Sequence, residues 1–185
     1  MQRRSFLKAG VAAVLATNLQ AAVQMARWKE AVAILEQASA SGQVKAASMF
    51  VSSKGESFSR GFGAAESADA MFLLGSISKP IAVMSLLTLF DQKQFSLDDR
   101  LQKFLPEFHG EGRDRVTIRH LLTHVSGLPD QLADNDRLRK SHAPLSRFVE
   151  HAIQTPLGFA PGSRYQYSSM GILLASRVAE LISGV

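Results

Sequence analysis

Apolar residues along this chain change their spacing several times, and each change marks an element. Trp28, Ala31, Val32, Leu35 and Ala38 recur at three- and four-residue steps, the period of one helical face. They predict a helix over 25–41, stopped at Gly42. The period then falls to two. Ala47, Met49 and Val51 share one face of a strand over 46–53, and Phe58 and Phe62 share one face of a strand over 56–62. Lys54-Gly55 between them reads as a hairpin turn. A loop follows over 64–70. Ile81, Met84, Leu86, Leu87 and Phe90 then predict a helix over 79–92, apolar on most sides and so expected to be buried. Ser96-Leu97-Asp98-Asp99 is expected to cap a short helix ending before Pro106. A further helix is expected over 117–124, closed by Ser126-Gly127-Leu128-Pro129. The polar stretch 130–144 reads as loop or short helix, 147–154 as helix, and 159–163 as a turn. Residues 165–168 read as extended, and 170–182 as an apolar helix capped by Gly184.

With 185 residues, one domain is expected. Hydrophobic content of 46% and charged content of 20% suit a folded chain and exclude global disorder. The cysteine count is zero, which excludes disulfides, a thiolate nucleophile and a cysteine-based metal site. The formal net charge is +5, but the first 22 residues hold Arg3, Arg4 and Lys8 and no acid, so the remainder carries only +2. Without a basic run or aromatic-interleaved stripe, nucleic acid is not an expected partner.

The charge at the start has its own pattern. Arg3-Arg4-Ser5-Phe6-Leu7-Lys8 precedes a mild apolar stretch, Ala9 to Ala16. That is the arrangement of a twin-arginine export signal. The stretch falls short of the roughly 20 apolar residues a spanning helix needs. Residues 1–22 are therefore read as an address and 23–185 as the folded part. The expected location is periplasmic or otherwise extracytoplasmic, with the membrane met only through the signal.

Three groups carry candidate chemistry. In Ser76-Ile77-Ser78-Lys79, a helix beginning at the serine brings the lysine amine one turn on, onto the same face. A serine hydroxyl is a weak nucleophile and needs such a base. Burial of the lysine would favour its neutral form, and a helix N-terminus favours developing oxyanion charge. The pattern alone is weak, since Ser5-Phe6-Leu7-Lys8 also matches it. The second group is Tyr165-Gln166-Tyr167-Ser168-Ser169, where a phenol beside a lysine cation can act as a base. The third is His120 and His124, four apart on one helix face. Leu121 stands where a zinc-protease helix has glutamate, so structural hydrogen bonds are the plainer expectation for this pair.

Taken in order, four blocks resemble the serine β-lactamase and penicillin-binding-protein superfamily, in its class C and family VIII esterase branch. They are Phe72 to Lys79, Ser96 to Asp99, Thr117 to Asp130 (TIRHLLTHVSGLPD), and Pro161 to Leu174. The resemblance implies an α/β fold of α+β type: an antiparallel sheet flanked by helices, plus a helical region. It implies that Ser76 is acylated, that Lys79 helps deprotonate it, and that Tyr167 relays the proton to the leaving group. The Ser76 N–H would form half of an oxyanion hole. No metal or organic cofactor is implied. The substrate would be a small-molecule or cell-wall-derived acyl compound, an ester, β-lactam or D-Ala-type amide. Ser169 stands where the family's Y-x-N motif has its substrate-binding asparagine, which disfavours amide substrates over esters. The family's third motif, K-T-G or H-x-G on a later strand, is not found in these residues. The chain is therefore expected to be the N-terminal part of the domain, without the C-terminal strands. The alternative function is a truncated, inactive domain with a binding or partner-dependent role.

Overall fold

The computed structural model describes residues 28–184 apart from positions 54 and 68; the export signal expected at 1–22 lies outside the described residues. The chain divides into two compact units, the first ending at Leu73 and the second beginning at Leu74.

In the first unit a helix over 28–40, α1, accompanies an antiparallel hairpin of β1 (Ala46–Ser53) and β2 (Glu56–Gly63). The register sets Val51 opposite Phe58 and Ala47 opposite Phe62. Both expected apolar faces thus lie on the same side of the hairpin, as a side-chain period of two requires. That side meets α1. Trp28 stacks on Phe58 with ring centroids 6.2 Å apart, and Arg60 pairs with Glu36 across the helix–strand contact.

The second unit is helical: α2 (Ser78–Asp91), α3 (Ile118–Leu122), α4 (Asn135–Lys140), α5 (Leu145–Gln154) and α6 (Ser169–Ser183). α6 is its axle, packing on α2, α3 and α5. The core is built from fully buried Leu86, Leu101, Phe108, Ile118, Leu121, Leu128, Leu174 and Val178. Gly171 lets α3 approach α6 closely, since a Cβ there would sit 3.3 Å from the Leu121 carbonyl oxygen.

Three sequence expectations need correction. α2 is buried only along the side holding Leu86; Ile81 and Met84 are 58% and 61% exposed. An apolar surface all round does not create neighbours, and α6 is the one long helix that covers α2 among the described elements. Ser96-Leu97-Asp98-Asp99 forms a turn rather than a helix cap, with Ser96 N–H on Asp99 Oδ2 (2.9 Å) and a 3-10 turn following at Leu101–Lys103. The third correction concerns α3, which stops at Leu122 instead of running to 124. His124 takes a left-handed backbone (φ 60), Val125 N–H returns to His120 O and His124 N–H to Leu121 O. That pair of bonds is the Schellman closure of a helix. Among the described residues no helix is long and apolar enough to cross a membrane.

Candidate active site

The chain is turned just before Ser76 by Gly75, whose φ of 54 lies in the region open mainly to glycine. A single 3-10 turn, Gly75–Ile77, then leads directly into α2. Residues i and i+3 eclipse in such a turn, so Lys79 stands over Ser76. Lys79 Nζ donates to Ser76 Oγ at 2.9 Å. Pro80 fits the first turn of α2, where no backbone N–H is needed. Lys79 is half-buried, whereas deeper burial was expected; the exposed outer side of α2 leaves its amine near water.

Tyr167 arrives from 91 residues away. It lies in the short extended segment before α6 and donates its hydroxyl to Ser76 Oγ at 2.9 Å. Lys79 Nζ lies 5.1 Å from the centre of the Tyr167 ring. Hydrogen bonding to Lys79, and then to Ser76, holds the Tyr167 phenol below the ordinary tyrosine value. The three residues singled out in the sequence therefore meet at one oxygen.

Ser169 lines the cleft beside the site and is held by Asp130. Its hydroxyl and its backbone N–H both donate to Asp130 Oδ1, at 2.7 and 2.8 Å. The adjoining Ser168 is fully buried and caps α6: its Oγ accepts Gly171 N–H at 2.9 Å and donates to the Pro129 carbonyl at 2.8 Å. A cleft of about 470 Å³ opens beside these residues, lined by Ser78, Asp130, Leu132, Phe148, Ser169 and Leu173 among others. It adjoins the site two residues along from both Ser76 and Tyr167.

The two histidines do not form a pair. His120 completes a capping box at the start of α3, accepting Thr117 N–H at Nδ1 (3.3 Å) while its own N–H meets Thr117 Oγ1 (3.2 Å). Because α3 ends at Leu122, His124 leaves that helix face. Its Nδ1 accepts the Ser168 N–H at 3.2 Å and its ring lies 4.8 Å from that of Tyr167. Burial first, then the charge of Lys79, holds the His124 pKa below the ordinary histidine value. Among the described residues no cluster of three or more His, Cys, Asp or Glu is arranged to hold a metal.

Sequence reasoning gave Asp130 no role, named Ser168 only as a neighbour of Tyr167, and set His124 with His120 instead of with Tyr167. What ties the three to the site is the way the structure zips the Thr117–Asp130 and Pro161–Leu174 blocks together. Gly162 N–H meets Val125 O, Gln166 N–H meets His124 O and Met170 N–H meets Asp130 O, at 2.8, 2.8 and 3.1 Å.

The chain is similar to several known proteins. Esterase EstB of Burkholderia gladioli is 36% identical over a match covering 54% of this chain and 29% of the esterase. Penicillin-binding protein 4* of Bacillus subtilis (strain 168) is 28% identical, over 63% of this chain and 26% of its own. Among solved structures, the octameric penicillin-binding protein homologue from Pyrococcus abyssi superposes with a TM-score of 0.69 at 25% identity, over 83% of this chain and 40% of that one. The chain thus spans less than half the length of each of these. A family model described as Beta-lactamase matches residues 31–185. On that match, and with the mixed helix and antiparallel-hairpin fold that goes with it, the chain belongs to the β-lactamase family.

Proposed function

We propose that this chain carries the nucleophile of an exported serine hydrolase that works through a serine acyl-enzyme, with an ester as its preferred substrate. One observation carries the reading: Ser76 Oγ receives Lys79 Nζ and Tyr167 Oη, each at 2.9 Å. With the phenol ionised beside the lysine ammonium, the Tyr167 contact reverses and Ser76 donates to the phenolate. Ser76 Oγ then attacks the carbonyl carbon while its proton passes to Tyr167 Oη. Collapse of the tetrahedral intermediate breaks the acyl–oxygen bond, and Tyr167 returns the proton to the departing alkoxide. Water repeats the sequence on the acyl-enzyme, releasing the acid and restoring Ser76. The Ser76 N–H, in a first turn where no preceding carbonyl claims it, supports one oxyanion contact. The cleft past Ser78 and Ser169 suits the acyl group; its volume is in the range of small-molecule sites.

An ester is favoured over an amide because the Ser169 hydroxyl is committed to Asp130 and offers no donor to a substrate carbonyl. The relative named as an esterase points the same way. The test is labelling of the full chain by a fluorophosphonate probe, with Ser76→Ala as control. Labelling that disappears in S76A is expected; a folded wild type that takes no label would defeat the proposal. Export is tested separately. Replacing Arg3 and Arg4 by lysine should retain the chain in the cytoplasm, and unchanged export would remove the twin-arginine reading.

A further inference from the structure

The geometry points to His124 as the residue that positions Tyr167 against Ser76, acting through a ring whose Nδ1 is unprotonated. The inference rests on reading Ser76, Lys79 and Tyr167 as the reacting centre.

Tyr167 needs a holder. It precedes α6 and belongs to no helix, and it is 38% exposed, so packing alone does not fix its ring. Its backbone is gripped on both sides by one residue. The Gln166 N–H donates to the His124 carbonyl at 2.8 Å, and the Ser168 N–H donates to His124 Nδ1 at 3.2 Å. The His124 ring also lies against the Tyr167 ring, with centroids 4.8 Å apart and planes 34° from parallel. Tyr165 closes the other side edge-on at 6.0 Å. The left-handed turn that places His124 is not itself the argument, since Lys93 and His142 take the same backbone after α2 and α4. What sets His124 apart is that its carbonyl, ring nitrogen and ring face all converge on Tyr167 and its two neighbours.

Accepting the Ser168 N–H requires a lone pair on Nδ1, so the ring's one proton sits on Nε2. A second proton would turn Nδ1 into a donor facing a donor, and the grip on Ser168 would be lost. The charged and titratable groups facing the ring are Lys79 from α2, Asp130 from the loop after α3, and Tyr165 and Tyr167 from the segment before α6. Burial and Lys79 oppose protonation, while the Ser168 backbone contact and Asp130 work against them.

The sequence makes the test clean. It holds two tyrosines, so Tyr165→Phe leaves Tyr167 as the only phenol to titrate by ultraviolet absorbance. In that background, H124N and H124G both tolerate the left-handed backbone. H124N keeps an acceptor for Ser168 and H124G does not. H124G is expected to raise the Tyr167 pKa toward the ordinary tyrosine value and to slow probe labelling of Ser76 by about 10–100-fold. H124N should keep the lowered phenol and lose the acid-side fall in labelling that the histidine imposes. If H124G titrates and labels like its parent with the acid-side fall intact, the assignment is overturned. A parent that takes no label would instead defeat the hydrolase reading, while the phenol titration still decides the role of His124.

Discussion

Replacing Ser168 by alanine removes one oxygen and should cost far more than its size suggests. Ser168 is fully buried, accepts the Gly171 N–H as N-cap of α6, and donates to the Pro129 carbonyl. Loss of a serine cap costs about 0.5–2 kcal/mol. A carbonyl stripped of its donor adds about 1–3 kcal/mol, the lower end applying where it is partly open to water, as Pro129 is. The Gly171 N–H is buried and has no such outlet. The combined loss is roughly 2–4 kcal/mol. For a chain of 185 residues that corresponds to a fall in Tm of roughly 5–15 °C. Urea and thermal unfolding followed by far-ultraviolet circular dichroism would measure it. The control is Ser163→Ala: Ser163 also donates to a backbone carbonyl, Ala160 O at 2.7 Å, but in an exposed turn where water replaces it. That variant should stay within about 0.5 kcal/mol of wild type. Equal losses for the two variants, or an S168A midpoint indistinguishable from wild type, would refute the claim that burial of Ser168 and of the N–H it caps sets the cost.

Three further outcomes follow from the same geometry. Gly127→Ala should destabilise by about 2–5 kcal/mol, because its φ is 90 and a Cβ would stand 2.4 Å from the Phe159 carbonyl oxygen; urea midpoints measure the loss, and a neutral result would mean the loop repacks. His120 and His124 are both held below the ordinary value of 6.5, burial being the larger cause in each. The unfolded chain therefore takes up protons first, and stability should fall as pH drops through about 6.5 and hold level above it; urea midpoints from about pH 5 to 8 would show this, and a rise toward acid would contradict it. Tyr167→Phe should fold normally yet lower the rate of Ser76 labelling by about 10²–10⁴-fold, a result that labelling at wild-type rate would exclude.

Where spacing reports structure, the sequence was readable. The hairpin at 46–63 and the long helices α2 and α6 follow from apolar periods of two and of three to four, and the observed bounds differ by a residue or two at most. Ser76 and Lys79 were legible because three residues of one turn bring them together without help from the rest of the chain. The end of α3 was not legible. Nothing in Leu122-Thr123-His124 signals a stop, since the left-handed residue there is histidine where glycine is the usual marker. His120 and His124 therefore share no helix face, although each ring makes a structural hydrogen bond of the kind expected.

The sequence by itself determined the hairpin and the long helices, the closeness of Ser76 and Lys79, and the family blocks, because each rests on contacts within one turn or on local residue type. The tertiary structure alone decided how Tyr167 is brought to Ser76, what Ser169 bonds to, and that His124 lies against Tyr167 rather than beside His120. Those facts depend on hydrogen bonds between side chains and backbone that join residues some 40 positions apart, and no period along the chain encodes a partner at that distance.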